Sequence, residues 1–374
     1  MLETESETVI IGASAAGLAT AACLKRAHRP FVLLEQSQHI ASAWRRHYER
    51  LHLHTSKGLS TLPHMNFPRK APRYPSRAQV IEYLESYAAR FSLVPRFNQR
   101  VVSVRRNGES WLTKTESDAW RSRHVVVATG YTRIPKRPGW PGIESFKGPV
   151  IHSSEYRNGQ PWTGRNVLVI GFGNSGGEIA LDLRENGART SLSVRSPVNI
   201  VPRDFLGIPI LAWGILLRAL PTRVADAVAK IVSRLTIGSL SDLGLRQLPY
   251  GPMAQIRGDH RIPLLDIGTV AAIRRGEIEV LPGVESFDAS TVRFSDGKER
   301  AFDAVVLATG YRPSISDFLE GAEGLLDENG APRNGTNLTP GLHFCGFNVV
   351  PTGMLREISR EARRIAQIIA SPSS

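Results

Sequence analysis

Cysteine is nearly absent: the 374 residues hold two, Cys23 and Cys345. That excludes a disulfide scaffold and a four-cysteine zinc site, and low thiol usage fits a reducing compartment. No metal site is expected. No apolar run reaches the ~20 residues that span a bilayer; the longest, Phe205 to Leu217, is broken by Gly207, Pro209 and Gly214. Basic runs interleaved with aromatics are missing too. The net charge of +13 therefore reads as a dispersed basic surface, suited to an anionic small molecule or membrane surface and not to nucleic acid. With 41% apolar and 22% charged residues, the chain is neither disordered, nor a coiled coil, nor collagen-like. Its length suits two or three domains. The first strand is expected to begin by Thr8, leaving no room for a signal peptide. The expected location is cytoplasmic, with membrane association as the alternative.

What is present is a repeat. Thr8-Val-Ile-Ile-Gly12-Ala-Ser14-Ala15-Ala16-Gly17 is an apolar strand, a small-residue turn and a helix start. Val167-Leu-Val-Ile-Gly171-Phe-Gly173-Asn174-Ser175-Gly176 repeats it roughly 160 residues later. Each continues into a helix and a second strand, Phe31 to Glu35 and Ser191 to Arg195, the opening of a βαβ unit. A second pair of echoes follows: His124-Val-Val-Val-Ala128-Thr129-Gly130-Tyr131 recurs as Ala304-Val-Val-Leu-Ala-Thr309-Gly310-Tyr311. The order predicts an α/β fold of two Rossmann-like domains, the second inserted into the first. The boundaries read 1–155 and 310–374 for the first domain and 160–305 for the second, with Pro135 to Trp162 as linker.

Such turns bind dinucleotides. The first glycine permits the tight turn, the second lets backbone approach the pyrophosphate, and the third lets helix and strand pack closely. The helix N-terminus supplies unpaired N–H groups and a positive dipole end. Gly171, Gly173 and Gly176 fill all three positions; in the first copy Gly12 and Gly17 are kept and Ser14 takes the middle place. Glu35, 18 residues beyond Gly17, would accept ribose hydroxyls and repel a 2′-phosphate. Arg195, 19 residues beyond Gly176, would pair with a 2′-phosphate. The first site thus suits FAD or NAD and the second NADP, which together indicate a flavin-dependent oxidoreductase.

Between the sites, Phe146-Lys-Gly148-Pro-Val-Ile-His152-Ser-Ser-Glu-Tyr156 resembles the fingerprint of the flavin-containing monooxygenases, and Tyr156 in place of Trp separates it from the Baeyer–Villiger branch. Within that class B family the chain is most similar to the YUCCA-type enzymes, from Val9 to about Ile369. The similarity includes Trp44-Arg45, Arg50-Leu-His-Leu-His54, Gly173-Asn174-Ser175-Gly176, Val194-Arg195-Ser196 and Pro263-Leu-Leu-Asp266. The resemblance implies FAD and NADPH as cofactors, O₂ as co-substrate, and formation of a flavin C4a-(hydro)peroxide. That species would oxygenate a small lipophilic substrate, with oxidative decarboxylation of an aromatic 2-oxo acid such as indole-3-pyruvate foremost. It also implies Asn174 and then His54 as the residues facing the reaction. His54 stands where ordinary flavin-containing monooxygenases have asparagine. The resemblance extends the cofactor-binding set to Ala15, Ala16, Gln36, Trp44, Arg45, Val101, Ala128, Thr129, Gly130, Ser175, Ser196, Thr309, Gly310, Tyr311, Gly346 and Phe347.

Other readings stay open at this stage: an N- or S-oxygenase, an uncoupled NADPH oxidase, and a disulfide reductase-like flavoprotein. The last needs a Cys-x-x-Cys pair, which Cys23 and Cys345 cannot form. The apolar and basic stretch 205–243, with Arg218, Arg223, Lys230 and Arg234, reads as a helical lid over a substrate pocket or as a peripheral membrane contact; a homodimer is also left open. Met354, Leu355, Ile358, Ala362, Ile365, Ala366 and Ile369 recur at helical spacing after Pro351-Thr352-Gly353. The N-terminal dipole of that helix is expected to face the flavin.

Overall fold

The computed structural model describes residues 3–217, 221–259, 261–333, 337–350 and 352–371; Arg218 and Pro351 lie outside them. Apolar strand runs buried on both faces favour parallel pairing under helices, and this chain builds two such sheets. In the first, strands run in the order Phe31–Leu34, Glu3–Ile11, Ala119–Val127, Leu342–Phe344 and Asn337–Thr339. The first four are mutually parallel and the last is antiparallel. A meander of Val101–Asn107 and Ser110–Thr115 is attached through Ala119–Val127. In the second sheet all five strands are parallel, in the order Ile278–Leu281, Arg189–Ser193, Asn166–Ile170, Ala304–Leu307 and Val150–His152.

The two Ala-Thr-Gly strands thus sit beside the two glycine-turn strands. The second sheet is inserted between strands of the first, as the repeat order implied. Val150–His152 pairs with Ala304–Leu307, so this part of the 1–155 segment lies in the second sheet. The chain passes between sheets at two points only a ladder apart. Ile134–Pro135 pairs antiparallel with Tyr311–Arg312, and the Lys136 N–H donates to the Gly310 carbonyl at 2.9 Å.

The helix after the first glycine turn, Ala15–Arg26, is buried from Ala15 to Leu24. It packs with the C-terminal helix Met354–Ala370 and with Arg77–Arg90 in one apolar core. The C-terminal helix buries Leu355, Ile358, Ala362, Ile365, Ala366 and Ile369, the face its spacing specifies. The stretch 205–243 opens with a hairpin, Asp204–Phe205 against Ile208–Pro209. Two helices follow, Ile210–Leu217 and Thr222–Thr236. No described helix is long and apolar enough to cross a membrane.

Candidate active site

The two glycine turns are near copies in space. Gly12 and Gly171 have φ of 106° and 107°, values an L side chain rarely tolerates. A Cβ on either would strike the carbonyl oxygen of Ala128 or Ala308, at 2.7 and 2.6 Å. At Gly17 and Gly176 a Cβ would lie 1.7 and 1.9 Å from the carbonyl oxygens of Gly12 and Gly171. These glycines let helix touch strand. Ser14 and Gly173 are the helix N-caps, both extended, and neither helix start is capped by a side chain. Their first-turn N–H groups are therefore left for an anion. Around Gly173 a Cβ would meet nothing within 4 Å, so that approach is open.

The acid and the base stand at the two strand ends. Glu35 is buried; its carboxylate accepts the Ala13 N–H at 2.8 Å, the Ser37 N–H at 3.0 Å and the Ser42 hydroxyl at 3.2 Å. Three fixed donors orient it beside the first turn, and no cation among the described residues competes with a ribose hydroxyl for its remaining lone pair. The Gln99 N–H donates to the Glu35 carbonyl, which brings the 99–101 segment, and with it Val101, to the same strand end. Arg195 is exposed at the second strand end, and no side chain among the described residues pairs with its guanidinium. A second guanidinium, Arg246, donates to the Arg195 carbonyl. The sequence reading missed Arg246 because it comes from a distant loop. Ser196 is exposed beside them.

Between the domains lies a cavity of about 770 Å³. Ser14, Ala15, Ala16, Trp44, Thr129 and Gly130 line it from the first domain. Asn174, Phe205, Leu211 and Trp213 line it from the insertion, and Gly310, Tyr311, Gly346 and Gly353 from the returning chain. Both helices of 205–243 wall it, through Ile210 and Leu211 and through Val228 and Val232. No Lys, Arg, Asp or Glu lines it among the described residues. Gly353, with φ 95°, starts the C-terminal helix without a side-chain cap, so that helix does turn its N-terminus to the cavity. The Thr129 hydroxyl oxygen is buried with no hydrogen-bond partner among the described residues, an acceptor and donor left for a bound group.

Asn174 and His54, from different domains, meet at this cavity. The Asn174 Oδ1 accepts the Leu265 N–H at 2.8 Å, which leaves its NH₂ donors for a ligand. The His54 Nε2 lies 2.8 Å from Glu178 Oε1. A second cavity histidine, His47, is brought down to about 4 by burial, with Arg46, Arg77 and Arg157 adding repulsion; it stays neutral. His152 is fully buried and braces the hinge. Its Nδ1 accepts the Ser154 N–H at 3.1 Å, so Nε2 carries the hydrogen and donates to the Gly310 carbonyl at 3.1 Å. Its ring meets Tyr311 edge-on.

Several expected cofactor contacts lie off the wall of this cavity. Arg45 is drawn away by the Ile40 carbonyl and Glu85. Phe347 is buried against Phe344 in the core beneath the first sheet, and Gln36 is exposed beyond the strand end. Thr309 and Ser175 are likewise turned from the cavity. The Thr309 hydroxyl donates to the Lys136 carbonyl, and Ser175 bonds Tyr48.

Glu361, on the C-terminal helix, accepts the Gly346 N–H at 2.7 Å. Burial, with Glu357 adding repulsion, pushes its carboxyl from 4.5 up to about 7 against that hydrogen bond. An acid raised on folding holds its proton more tightly in the native state. Stability is therefore lost as pH rises from about 4.5 to about 7. Glu361→Gln should leave stability unchanged near pH 4.5 and raise it above pH 7, by at most roughly 3 kcal/mol. Calorimetric melts across pH would show this; a pH-independent difference would assign the effect to packing.

The residues fit both dinucleotides. The uncapped first turn, Glu35 and the unpartnered Thr129 hydroxyl would hold FAD; the open second turn with Arg195 and Arg246 would hold NADPH. Unlike nucleotide sites facing one apolar cavity define a flavin-dependent NADPH oxidoreductase. The pyridine nucleotide-disulphide oxidoreductase family matches residues 9–203. "Probable indole-3-pyruvate monooxygenase YUCCA4" of Arabidopsis thaliana is 39% identical over 347 residues, 91% of this chain and 84% of that protein. Indole-3-pyruvate monooxygenase YUCCA1 of Oryza sativa subsp. japonica is 38% identical over 348 residues, 91% and 86% respectively. In fold the chain is similar to a flavin-containing monooxygenase from Stenotrophomonas maltophilia, with TM-score 0.74, 24% identity and 98% of each chain covered. It is also similar to cyclohexanone monooxygenase, with TM-score 0.75, 18% identity, and 98% and 88% covered. The chain belongs to the YUCCA-type flavin monooxygenases and is an FAD- and NADPH-dependent monooxygenase. Disulfide chemistry is not supported by its cysteines: burial raises Cys23 to about 11 and Cys345 well above the ordinary range, which makes both inert.

Proposed function

We propose that this monooxygenase acts on a small aromatic 2-oxo acid such as indole-3-pyruvate, by oxidative decarboxylation. The reading is supported most by one observation: an apolar cavity between the domains with Trp44, Trp213 and Phe205 on its wall, in a chain 38% identical to a protein named for that activity. Overall, the acid, NADPH, a proton and O₂ give the shortened acid, CO₂, NADP⁺ and water. Bound FAD supplies the oxygen chemistry and NADPH its two electrons. The protein's residues position and protect. Asn174 offers its NH₂ donors where the two cofactor sites meet, His54 offers a ring nitrogen, and the apolar wall excludes water.

The absence of Lys and Arg from the described cavity wall favours a second reading, oxygenation of an amine or sulfide. NADPH consumption and CO₂ release measured with indole-3-pyruvate, phenylpyruvate, trimethylamine and methimazole separate the two. Indole-3-pyruvate should speed NADPH oxidation with one CO₂ per NADPH. Stimulation by methimazole or trimethylamine alone would overturn the 2-oxo acid assignment.

We also propose that 205–243 meets an anionic membrane surface from the cytoplasmic side, beyond its place over the cavity. Val224, Ile231 and Leu235 form one helical stripe, 47–76% exposed, and Leu206 and Ile208 of the hairpin are exposed as well. Arg223, Lys230 and Arg234 flank it, complementary to acidic lipid. The chain should cosediment with phosphatidylserine vesicles, and Ile231→Ser/Leu235→Ser should abolish this. A stripe that instead makes a salt-insensitive homodimer, with no vesicle binding, would refute the membrane contact.

A further inference from the structure

Glu178 sits one turn into the helix Asn174–Glu185, 2% exposed. It faces the other domain. His54 of the first domain reaches it at 2.8 Å, and the buried Tyr48 hydroxyl hydrogen-bonds both Glu178 and Ser175. Burial, and then the charge of Glu178, push the Tyr48 phenol well above its ordinary range, so it stays a donor to the carboxylate. Among the described residues the Glu178 Oε1 has no aligned hydrogen-bond donor; His54 Nε2 is its close polar neighbour, at 2.8 Å. Burying a carboxylate so sparsely partnered is costly. Removing its partners from place would cost more, which fixes the loop of His54 against the helix. The contact leaves His54 Nδ1 as the ring nitrogen with no hydrogen-bond partner among the described residues, on a side chain that lines the cavity. Asn174, four positions earlier on the same helix, lines that cavity as well.

We propose that Glu178 is a positioning residue: through its buried contact with His54 it holds the imidazole so that Nδ1 is presented to the reaction cavity, and one helix of the inserted domain thereby sets both polar groups, Asn174 directly and His54 through Glu178. Because the contact joins the two domains, His54 is in place only while they are docked. A displaced His54 leaves the cavity less ordered and wetter, and the electrons of NADPH then pass to O₂ as H₂O₂, one per NADPH with one proton taken up. The inference holds whichever substrate is oxygenated.

The test uses E178Q, which keeps the shape and removes the charge, together with H54Q and the double variant in the full chain. E178Q should retain its flavin content and keep its KM for NADPH within about twofold, while the fraction of NADPH recovered as H₂O₂ rises at least fivefold. The double variant should be no more uncoupled than H54Q alone, since residues acting as a unit are non-additive. In flavin-free protein labelled with ¹⁵N-histidine, the resonances absent from H54Q should move toward free imidazole in E178Q. Additive uncoupling, unmoved His54 resonances, or loss of flavin and NADPH binding in proportion to activity would each overturn the assignment. If E178Q does not fold, Y48F provides the same His54 resonance readout with the carboxylate intact but loosened, and an unmoved spectrum there counts against the proposal.

Discussion

Gly17→Ala should give colourless protein, whereas Gly176→Ala should give yellow protein that NADPH no longer bleaches. The clash in each case is with backbone oxygen, at 1.7 and 1.9 Å, and a carbonyl in a turn whose own N–H is hydrogen-bonded to the neighbouring strand end cannot swing aside like a side chain. Relief requires the helix to move more than an ångström from its strand, taking with it the N–H groups that would cradle the pyrophosphate. The two substitutions are chemically identical and occupy matching positions in two separate cores, so each is the control for the other. Flavin absorbance of the purified proteins reads the first outcome and anaerobic mixing with NADPH the second. Loss of colour in both, or in neither, would refute the assignment of separate cofactors to separate turns.

The second large effect is expected at the basic strand end. Arg195→Ser with Arg246→Ser should raise the KM for NADPH by roughly 100-fold or more, because a charge-assisted hydrogen bond to a charged group contributes about 1.5–3 kcal/mol and two are removed. NADH, lacking the 2′-phosphate, should change by no more than about threefold. Steady-state kinetics with both coenzymes measures the ratio. Equal losses would mean that neither guanidinium meets the phosphate.

The elements legible in the sequence are those the backbone itself demands. Gly12 and Gly171 are glycine because φ near 106° and a neighbouring carbonyl leave no room for a Cβ, and such requirements are local. The buried strands Val125–Val127 and Ala304–Leu307 are apolar on both faces for the same kind of reason. What stayed hidden depends on distant chain. Glu178 reads as one more acid on a helix until His54, 124 positions earlier, is folded against it. Arg246 reaches the ribose pocket of Arg195 through loop geometry that no period announces. The partners that hold the Arg45 side chain, Glu85 and the Ile40 carbonyl, are likewise set by the fold. Val150–His152 is a short strand whose partner, Ala304–Leu307, is chosen only when the second sheet assembles.

The two passages between sheets, paired at Ile134–Pro135 and Tyr311–Arg312, have a practical corollary. Because the outgoing and returning strands are neighbours, the inserted half of the molecule is joined covalently to its host through one paired crossing. A tight two-residue turn joining position 135 to position 311 would seal the host without disturbing its strand order. The same junction would accept the corresponding half of another protein built on this plan, which makes coenzyme preference a transplantable property.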